Sequence, residues 1–379
     1  MGSGPVRGAS GRIREFGMEQ VVLKQVNAMP LRTMEHLHAN GGSVAVPARV
    51  PAAFRGARKQ SGAGVEFTPM CSGSVELTEG DIATGMGEET RGYVKAHRNA
   101  GCLIEIPKGV KVASPAVLCY TLDSANPALV DENIIAAGEG SRATVVLRYG
   151  GEGFHAGLTR VFVRPGAHVT LVLVQMLGID SPSLDDIGAV VAPGGSFRLV
   201  QAELGGNAWA GCHMLLKEEA KAEIAAIYLG DGKRSVDINY TAEQEGKHSE
   251  SAISVHGALF DESSKLFRGT IDFKRGATGA RGREEEVNVL VGSRVRSRTV
   301  PVLLCAEEDV DGQHAATTGR LDAEKLFYLE SRGLSEKDAE KLMVRAAFAP
   351  VTALLPLPGL RDEVAAYIEE RIDAVEPVR

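Results

Sequence analysis

Two stretches decide the fold: HVTLVLVQML at residues 168–177 and SFRLVQAEL at residues 196–204. Apolar side chains alternate with other residues in both, which is the pattern of a β-strand that buries one face. The turn Pro193-Gly194-Gly195 directly precedes the second stretch. A strand that follows a Pro-Gly or Gly turn is therefore the unit from which the fold prediction is built.

This unit recurs from about residue 44 to about residue 304, at a loose spacing of roughly 15 to 28 residues. No long amphipathic helix alternates with the strands, which argues against a doubly wound parallel sheet. A β-sandwich or barrel and a β-solenoid both fit, and the recurrence favours the solenoid because stacked coils share one continuous core. The remaining strand-like segments are CLIEIPKGVKV, ATVVLRYG, KAEIAAIYL, SVDINYTAEQ, SAISVHGAL, KLFRGTIDF and EEVNVLVGS.

Composition sets limits on the class of protein. The length of 379 residues allows one large domain or two ordinary ones. At 44% hydrophobic residues, such a chain can bury a substantial core without disulfides. The 44 glycines and 5% aromatic residues favour a chain with many turns over a helical bundle. The net charge of −7 argues against a nucleic-acid partner, because phosphate binding requires clustered basic residues.

The predicted location is the cytoplasm, with no membrane contact. The longest apolar run, near residues 169–179, is too short to cross a bilayer, and no charged-then-apolar leader opens the sequence. No phosphate-binding loop of the G-x-x-x-x-G-K-[ST] type is present, so ATP hydrolysis is not expected. Reduced thiols are predicted, since an odd count without a C-x-x-C pair does not indicate a disulfide framework; the cysteines are at positions 71, 102, 119, 212 and 305.

Candidate chemistry is concentrated between residues 301 and 320. Cys305 ends an apolar run, an acidic triplet follows, and His314 comes after a glycine turn. Cys305 is either an inert buried thiol or a reactive thiolate, since the thiolate is both the nucleophile and the metal ligand. His314 is either a neutral residue of the turn or a metal ligand. Glu308 is either a carboxylate ligand or part of a charged loop.

Helices are predicted after Arg320, near residues 322–332, 335–348 and 360–372, with a proline-rich joint at 350–358. Asp322 is a candidate cap of the first helix, and Gly333 suits its left-handed end. Ser335 opens a capping box. The predicted apolar faces are Ala339, Leu342, Met343 and Ala346 on the second helix, and Val364, Tyr367, Ile368 and Ile372 on the third.

A family resemblance extends this interpretation. VPVLLCAEEDVDGQHAATTGR at residues 300–320, followed by LFYLESRGLSEKDAEKL at 326–342, resembles the C-terminal signature of the SufB/SufD family of iron-sulfur cluster assembly proteins. A weaker likeness covers residues 248–273. The resemblance implies a mainly β fold, a right-handed parallel β-helix (β-solenoid) with helical N- and C-terminal segments.

The predicted organisation has four parts. Residues 1–17 form a disordered tail or a non-native segment, and residues 18–64 a helical or irregular N-terminal segment. Residues 65–318 form the β-helix core. Residues 319–379 form a helical region, which the resemblance assigns to ATPase docking.

The resemblance also implies a function. The chain would be a scaffold subunit, not an enzyme, carrying a transient iron-sulfur cluster of iron and sulfide at a dimer interface. Cys305 would accept sulfur, and Cys305, His314 and Glu308 would bind iron. The implied partners are a second copy or a SufB/SufD paralogue, a sulfur donor such as a cysteine desulfurase system, and a SufC-like ABC ATPase. That ATPase would dock on Phe327, Tyr328, Arg332 and Gly333.

The match to either type within the family is incomplete. The SufB type carries a glutamate where this chain has Ala315, and the SufD type carries a cysteine where it has Gly312. The combination resembles a minimal two-component system in which one such protein pairs with itself. Two other hypotheses are a structural SufD-like partner without ligands, and a β-solenoid enzyme acting on polysaccharide with Glu284 to Glu286 in a groove. The single tryptophan, Trp209, disfavours the latter.

Overall fold

The computed structural model describes residues 19–31, 38–51, 53–60, 64–70, 82–320 and 323–375. The predicted tail at 1–17 and the capping residue Asp322 lie outside these ranges. The strands are β1 Gln20–Val26, β2 Gly42–Pro47, β3 Ala57–Gln60, β4 Glu66–Pro69, β5 Ala100–Ile106, β6 Ala116–Leu122, β7 Ala128–Ala137, β8 Arg142–Gly151, β9 Phe154–Val163, β10 His168–Leu177, β11 Ser183–Val191, β12 Ser196–Glu203, β13 Ala208–Leu216, β14 Lys221–Gly230, β15 Ser235–Gln244, β16 Glu250–Leu259, β17 Ser264–Phe273, β18 Ala280–Leu290, β19 Arg296–Cys305 and β20 Val310–Arg320. The helices are α1 Glu88–His97, α2 Ala323–Ser331, α3 Glu336–Thr352 and α4 Pro358–Ala374.

The strands from β5 onward form a solenoid of about eight turns, which confirms the mainly β prediction. Sheet I contains β3 and the even-numbered strands from β6 to β20. Sheet II contains β4 and the odd-numbered strands from β5 to β19. Consecutive strands therefore alternate between the sheets, and each turn adds one parallel strand to each sheet. The first strands, β3 and β4, pair antiparallel with β6 and β5.

The strand register stacks equivalent residues of successive turns. On the inner side of sheet I, one column runs through Val145, Leu171, Leu199, Ile224 and Ile253. All five side chains are buried in the same core cluster. Burying an aliphatic side chain of this size contributes about 1.5–3 kcal/mol, so the column explains why the coils stack in this register.

The outer face of sheet II is covered by the N-terminal region. Sequence analysis predicts a helical or irregular segment over 18–64, but β1 and β2 form an antiparallel hairpin there. Leu23 and Val44 of the hairpin share a core cluster with Leu158 and Trp209 of the sheet. The scattered apolar residues of this segment are therefore spaced for packing on a sheet. Helix α1 completes the cover through Tyr93 and Val94.

The outer face of sheet I is partly covered by α3 and α4. Val344 and Phe348 of α3 share an apolar cluster with residues of β8 to β16, such as Val172 and Val200. The predicted face of α3 is wrong for Leu342, which is 46% exposed, and for Ala346, which is also exposed. The buried residues of α3 are Ala339, Val344, Phe348 and Val351. On α4, the predicted Val364, Ile368 and Ile372 are buried.

The predicted starts and ends of the C-terminal helices follow local chemistry. The Ser335 hydroxyl accepts a hydrogen bond from the Asp338 backbone N–H at 3.1 Å, as the capping box requires. Gly333 has φ 94°, the left-handed conformation that glycine adopts without strain. Helix α3 continues through Pro350 to Thr352, so the joint is shorter than predicted. None of the helices in the described ranges is long and apolar enough to span a bilayer.

A short segment, residues 82–87, is fixed to the outer side of sheet II by Asp186. The two carboxylate oxygens of Asp186 accept hydrogen bonds from the Thr84 hydroxyl and the Met86 backbone N–H, both at 2.8 Å. Burial nevertheless raises the pKa of Asp186 to about 7, because these bonds offset only part of the desolvation of the charged form.

The raised pKa of Asp186 predicts a dependence of stability on pH. An unfolded aspartate ionises near pH 4, so between pH 4 and 7 the unfolded state loses a proton that the folded state keeps, and stability falls as pH rises. Replacing Asp186→Asn should remove this loss, which is about 2–3 kcal/mol between pH 5 and 8. Urea unfolding of both proteins at the two pH values measures it. Parallel pH profiles for the two proteins would contradict the assignment.

Candidate functional site

The candidate residues lie at the open end of the solenoid. Strands β19 and β20 are the last strands of sheets II and I, and each pairs on one side only in the described chain. Cys305 is the last residue of β19, and His314 lies in the middle of β20. Both side chains are exposed. The end of the core is therefore a surface that no further turn covers.

Both residues belong to the inner face of this last turn. Cys305 pairs in register with Phe273, and His314 with Glu284. Phe273 and Glu284 are buried inside the solenoid, and side chains at paired positions of parallel strands lie on the same face. Cys305 and His314 thus occupy positions that would be core if another turn followed.

The structure brings the thiol and the imidazole to one end but not into contact. Cys305 lies next to the loop between the strands, whereas His314 is four residues beyond Val310, about 13 Å along the strand. No hydrogen bond or ion pair joins them within the described ranges, and no group of three His, Cys, Asp or Glu residues there is arranged to hold a metal. One protomer therefore offers separate donors, not a finished site.

In the acidic loop after β19, the neighbouring residues Glu307 and Glu308 have different roles. A carboxylate oxygen of Glu307 accepts from the Gly276 backbone N–H at 2.9 Å, and the other accepts from the Glu308 N–H at 3.0 Å. These bonds lower the pKa of Glu307, the bond from Gly276 most strongly. Glu307 thus stabilises the turn, while the exposed Glu308 makes no side-chain bond to the described residues. Of the two, Glu308 is the carboxylate available to a ligand.

A buried polar cluster lies directly below the open end. The Lys265 ammonium pairs with Glu286 and donates to the Thr299 hydroxyl at 2.9 Å. Thr299 in turn donates to Glu286 at 2.5 Å. Burial lowers the pKa of Lys265, and Glu286 opposes the shift. These three groups form a closed network in which the buried charges are compensated.

Glu284 belongs to the same cluster but is not satisfied. Its side chain is buried, and its Oε2 has no hydrogen-bond partner in the described structure. Burial raises the pKa of Glu284 to about 8, and the neighbouring Glu286 adds to the shift. The alternative hypothesis of a polysaccharide enzyme with Glu284 to Glu286 in a groove does not fit two of these residues, which are buried. Glu284 and Glu286 face inward because strand residues alternate, and Glu285 is exposed.

Of the four cysteines that the structure describes, Cys305 is the exposed one. Cys102 and Cys212 are buried, and Cys119 is half-buried. Burial raises the pKa of the Cys212 thiol, which keeps it protonated and unreactive. Cys71 lies outside the described residues. The neighbouring His213 pairs with Glu243 at 2.9 Å, so Cys212 and His213 do not share a site.

The predicted partner-binding residues are exposed and lie on α2 and in the turn directly after it. Phe327 is 72% exposed and Tyr328 is 55% exposed. The guanidinium carbon of Arg332 lies 5.1 Å from the centre of the Tyr328 ring, a cation–π distance. Gly333 then ends the helix, and Leu334 and Leu342 extend the apolar surface. We call the surface formed by Phe327, Tyr328, Arg332 and Gly333 the α2 face.

Comparisons with known proteins agree on one family. The family model described as SUF system FeS cluster assembly, SufBD core domain, matches residues 120–347, a range that contains Cys305, His314 and Phe327. An iron-sulfur cluster assembly protein SufD of Bacillus subtilis is 27% identical over 284 residues, which are 72% of this chain and 64% of that protein.

Two further relatives are iron-sulfur cluster assembly SufBD family proteins. One, from Staphylococcus epidermidis, is 25% identical over 267 residues, which are 68% of this chain and 57% of that protein. The other, from Mycobacterium bovis, is 24% identical over 358 residues, which are 92% of this chain and 87% of that protein. The chain therefore spans less than two thirds of the Bacillus and Staphylococcus proteins and most of the mycobacterial one.

Proposed function

Because the chain belongs to the SufBD core-domain family of SUF-system iron-sulfur cluster assembly proteins, we propose that it is a scaffold subunit on which a cluster forms at a dimer interface. As a member of this family it is an assembly subunit and not an enzyme. The observation that carries the proposal is the uncovered last turn, with the exposed Cys305 and His314 on its inner face.

The chemistry of these side chains suits iron and sulfur. A thiolate and an imidazole are ligands that iron prefers, and the nearby Glu308 adds an oxygen donor. For sulfur transfer, the Cys305 thiolate attacks the terminal sulfur of a persulfide donor, such as a cysteine desulfurase system. A new S–S bond forms at Cys305 while the S–S bond of the donor breaks, and the inner sulfur of the donor leaves as a thiolate. No external oxidant or reductant is needed.

A dimer supplies what one protomer lacks. The outer edge of β20 has no partner strand in the described chain, and its residues are largely exposed. Such an edge invites pairing with another strand. A second copy, or a paralogue, joined at this edge would bring a second set of Cys305- and His314-type donors to the seam. The α2 face then remains available to a SufC-like ABC ATPase.

The proposal is tested by anaerobic co-expression with an ABC-type ATPase partner. We expect a complex that contains two scaffold subunits and labile iron and sulfide. The variant Cys305→Ser should lower the sulfide content at least about tenfold, because an alcohol is a poor nucleophile at neutral pH and a poor iron ligand. Cys119→Ser is the matched control, because this thiol is half-buried and lies far along the chain from the open end.

Two results would contradict the proposal. A complex in which Cys305→Ser carries as much iron and sulfide as wild type would leave only the structural SufD-like role. A colourless protein that does not bind the ATPase would contradict the scaffold function as a whole. Mass measurement of the same samples reports whether two scaffold subunits are present.

A further inference from the structure

We propose that Glu284, one turn below the open end, is an additional donor to the iron that His314 binds. This inference rests on the proposed function and adds an internal carboxylate to it. The site would then begin inside the solenoid and not only at its exposed edge.

The first support is position. Glu284 of β18 and His314 of β20 are paired in register. Neighbouring strands lie about 4.8 Å apart, and paired side chains share a face. The imidazole of His314 therefore stands over the position from which the Glu284 side chain enters the interior. No other acidic residue of β18 has this relation to His314, since Glu286 pairs with Ala316.

The second support is an unsatisfied oxygen. Glu284 is 3% exposed, and its Oε2 has no hydrogen-bond partner among the described residues. The nearest cation, Lys265, is already bound to Glu286 and Thr299. A buried carboxylate that is neither paired nor hydrogen-bonded is costly, and most native structures avoid it. A bound cation at this oxygen would remove the cost.

The third support is the space made for the carboxylate. A Cβ atom on Gly269 would lie 2.3 Å from Glu284 Cδ and 2.4 Å and 2.6 Å from its two oxygens. Any other residue at position 269 would therefore displace the carboxylate. The next turn places Pro301 over Gly269 and His314 over Glu284. The Glu284 carboxylate thus occupies the space beside Gly269, and the last turn of the solenoid covers that space.

The chemistry of the pair fits ferrous iron. Carboxylate oxygen and imidazole nitrogen together bind Fe(II) in many protein sites, and the carboxylate also neutralises part of the metal charge. Two such donors from each of two protomers would supply four protein ligands for iron. If Glu284 were only a protonated core residue, its isosteric amide would replace it without effect on metal binding.

The test is anaerobic titration of the purified complex with Fe(II) alone, with affinity measured by equilibrium dialysis. Loss of a group that only supports a metal ligand typically weakens metal affinity 10- to 100-fold, so we expect a weakening of at least that size for Glu284→Gln and for His314→Ala, which remove ligands. Glu285→Gln should bind as wild type does, because it removes the same charge from the exposed neighbour. Binding of Co(II), followed by its visible spectrum, should change in Glu284→Gln and not in Glu285→Gln.

The outcomes separate the two proposals. Wild-type Fe(II) affinity and an unchanged Co(II) spectrum in Glu284→Gln, with binding lost in His314→Ala, would overturn the role of Glu284 and leave the proposed function intact. Equal Fe(II) binding by wild type and His314→Ala would overturn the proposed function and this inference with it. Glu284→Leu provides a second test if the amide does not fold, since an apolar side chain of similar length needs no partner.

Discussion

Replacing Phe327→Asp is expected to weaken binding of the proposed ABC-type ATPase partner about 100-fold. Phe327 is the most exposed of the large apolar residues on the α2 face, and aromatic anchors at the centre of an interface contribute 2 kcal/mol or more. The substitution also places a charge where the partner would cover it, which adds a desolvation cost. Titration of the purified ATPase against both proteins by calorimetry measures the change.

The fold should tolerate this substitution. Phe327 is 72% exposed, so an aspartate there leaves the core unaltered and thermal unfolding should match wild type. Val22→Asp is the matched control: Val22 is 56% exposed but lies on the N-terminal hairpin, away from α2. An ATPase affinity that falls equally in both variants, or in neither, would exclude the α2 face as the docking surface.

Replacing Lys265→Met is expected to lower the free energy of unfolding by about 3–5 kcal/mol, because it leaves a buried charge without its partner. Lys265 and Glu286 are both fully buried, and the remaining hydrogen bonds from the Thr299 and Tyr228 hydroxyls cannot neutralise the Glu286 carboxylate. Urea unfolding at neutral pH measures the loss.

A double variant checks the cause. Lys265→Met with Glu286→Leu removes both charges and should recover most of the stability, since apolar replacements of buried ion pairs are often neutral or better. If the double variant is as unstable as the single one, the loss comes from packing and not from the unpaired carboxylate. The pair would then not be the main constraint on the interior of the last turns.

The sequence reveals a strand where apolar residues are dense, as in β10 and β14, although both faces of these strands are largely buried. In β18 the outward residues Arg281, Arg283 and Glu285 are exposed. By contrast, β9 is buried at every position, because the N-terminal hairpin and α1 cover the outer face of sheet II. Since both faces of β7, β9, β11 and β13 are largely buried, polar and apolar residues do not alternate along them, and a period of two could not identify these strands.

The hairpin itself escaped prediction for a related reason. Its strands β1 and β2 are short, and only Leu23 and Val26 of β1 are buried. The i, i+3 spacing of these two residues is that of a helix, and a register shift between Lys24 and Val26 allows both to be buried on one side of a strand. The buried face of α3 was also mispredicted. The side of α3 that packs on sheet I depends on how α3 and α4 together are oriented on the sheet, and the local sequence does not determine this.

The candidate site was predictable in part. The residue types and the family resemblance indicate Cys305 and His314, but their common inner face depends on registers with β17 and β18, one turn earlier. Glu284 is missed as a partner of His314 for the same reason, since thirty residues separate them in the chain. The sequence does contain one signal: Arg283 to Glu286 are four consecutive charged residues, and side chains of a strand alternate between its faces, so a strand there must turn some of them inward.

The layer of α3 and α4 on sheet I has a consequence for how the protein opens locally. The helices join β8, β10, β12, β14 and β16 in one apolar cluster, and Arg371 of α4 ties that layer to Asp231 after β14. Stacked coils can otherwise unfold one at a time from their ends. Because the two helices pack across several coils, the middle coils are expected to unfold together as one cooperative unit. Among the described residues β20 contributes nothing to the cluster. Local opening of the last coil, which carries His314, is therefore expected to cost less than opening of the middle coils, so the last coil can open while they stay closed.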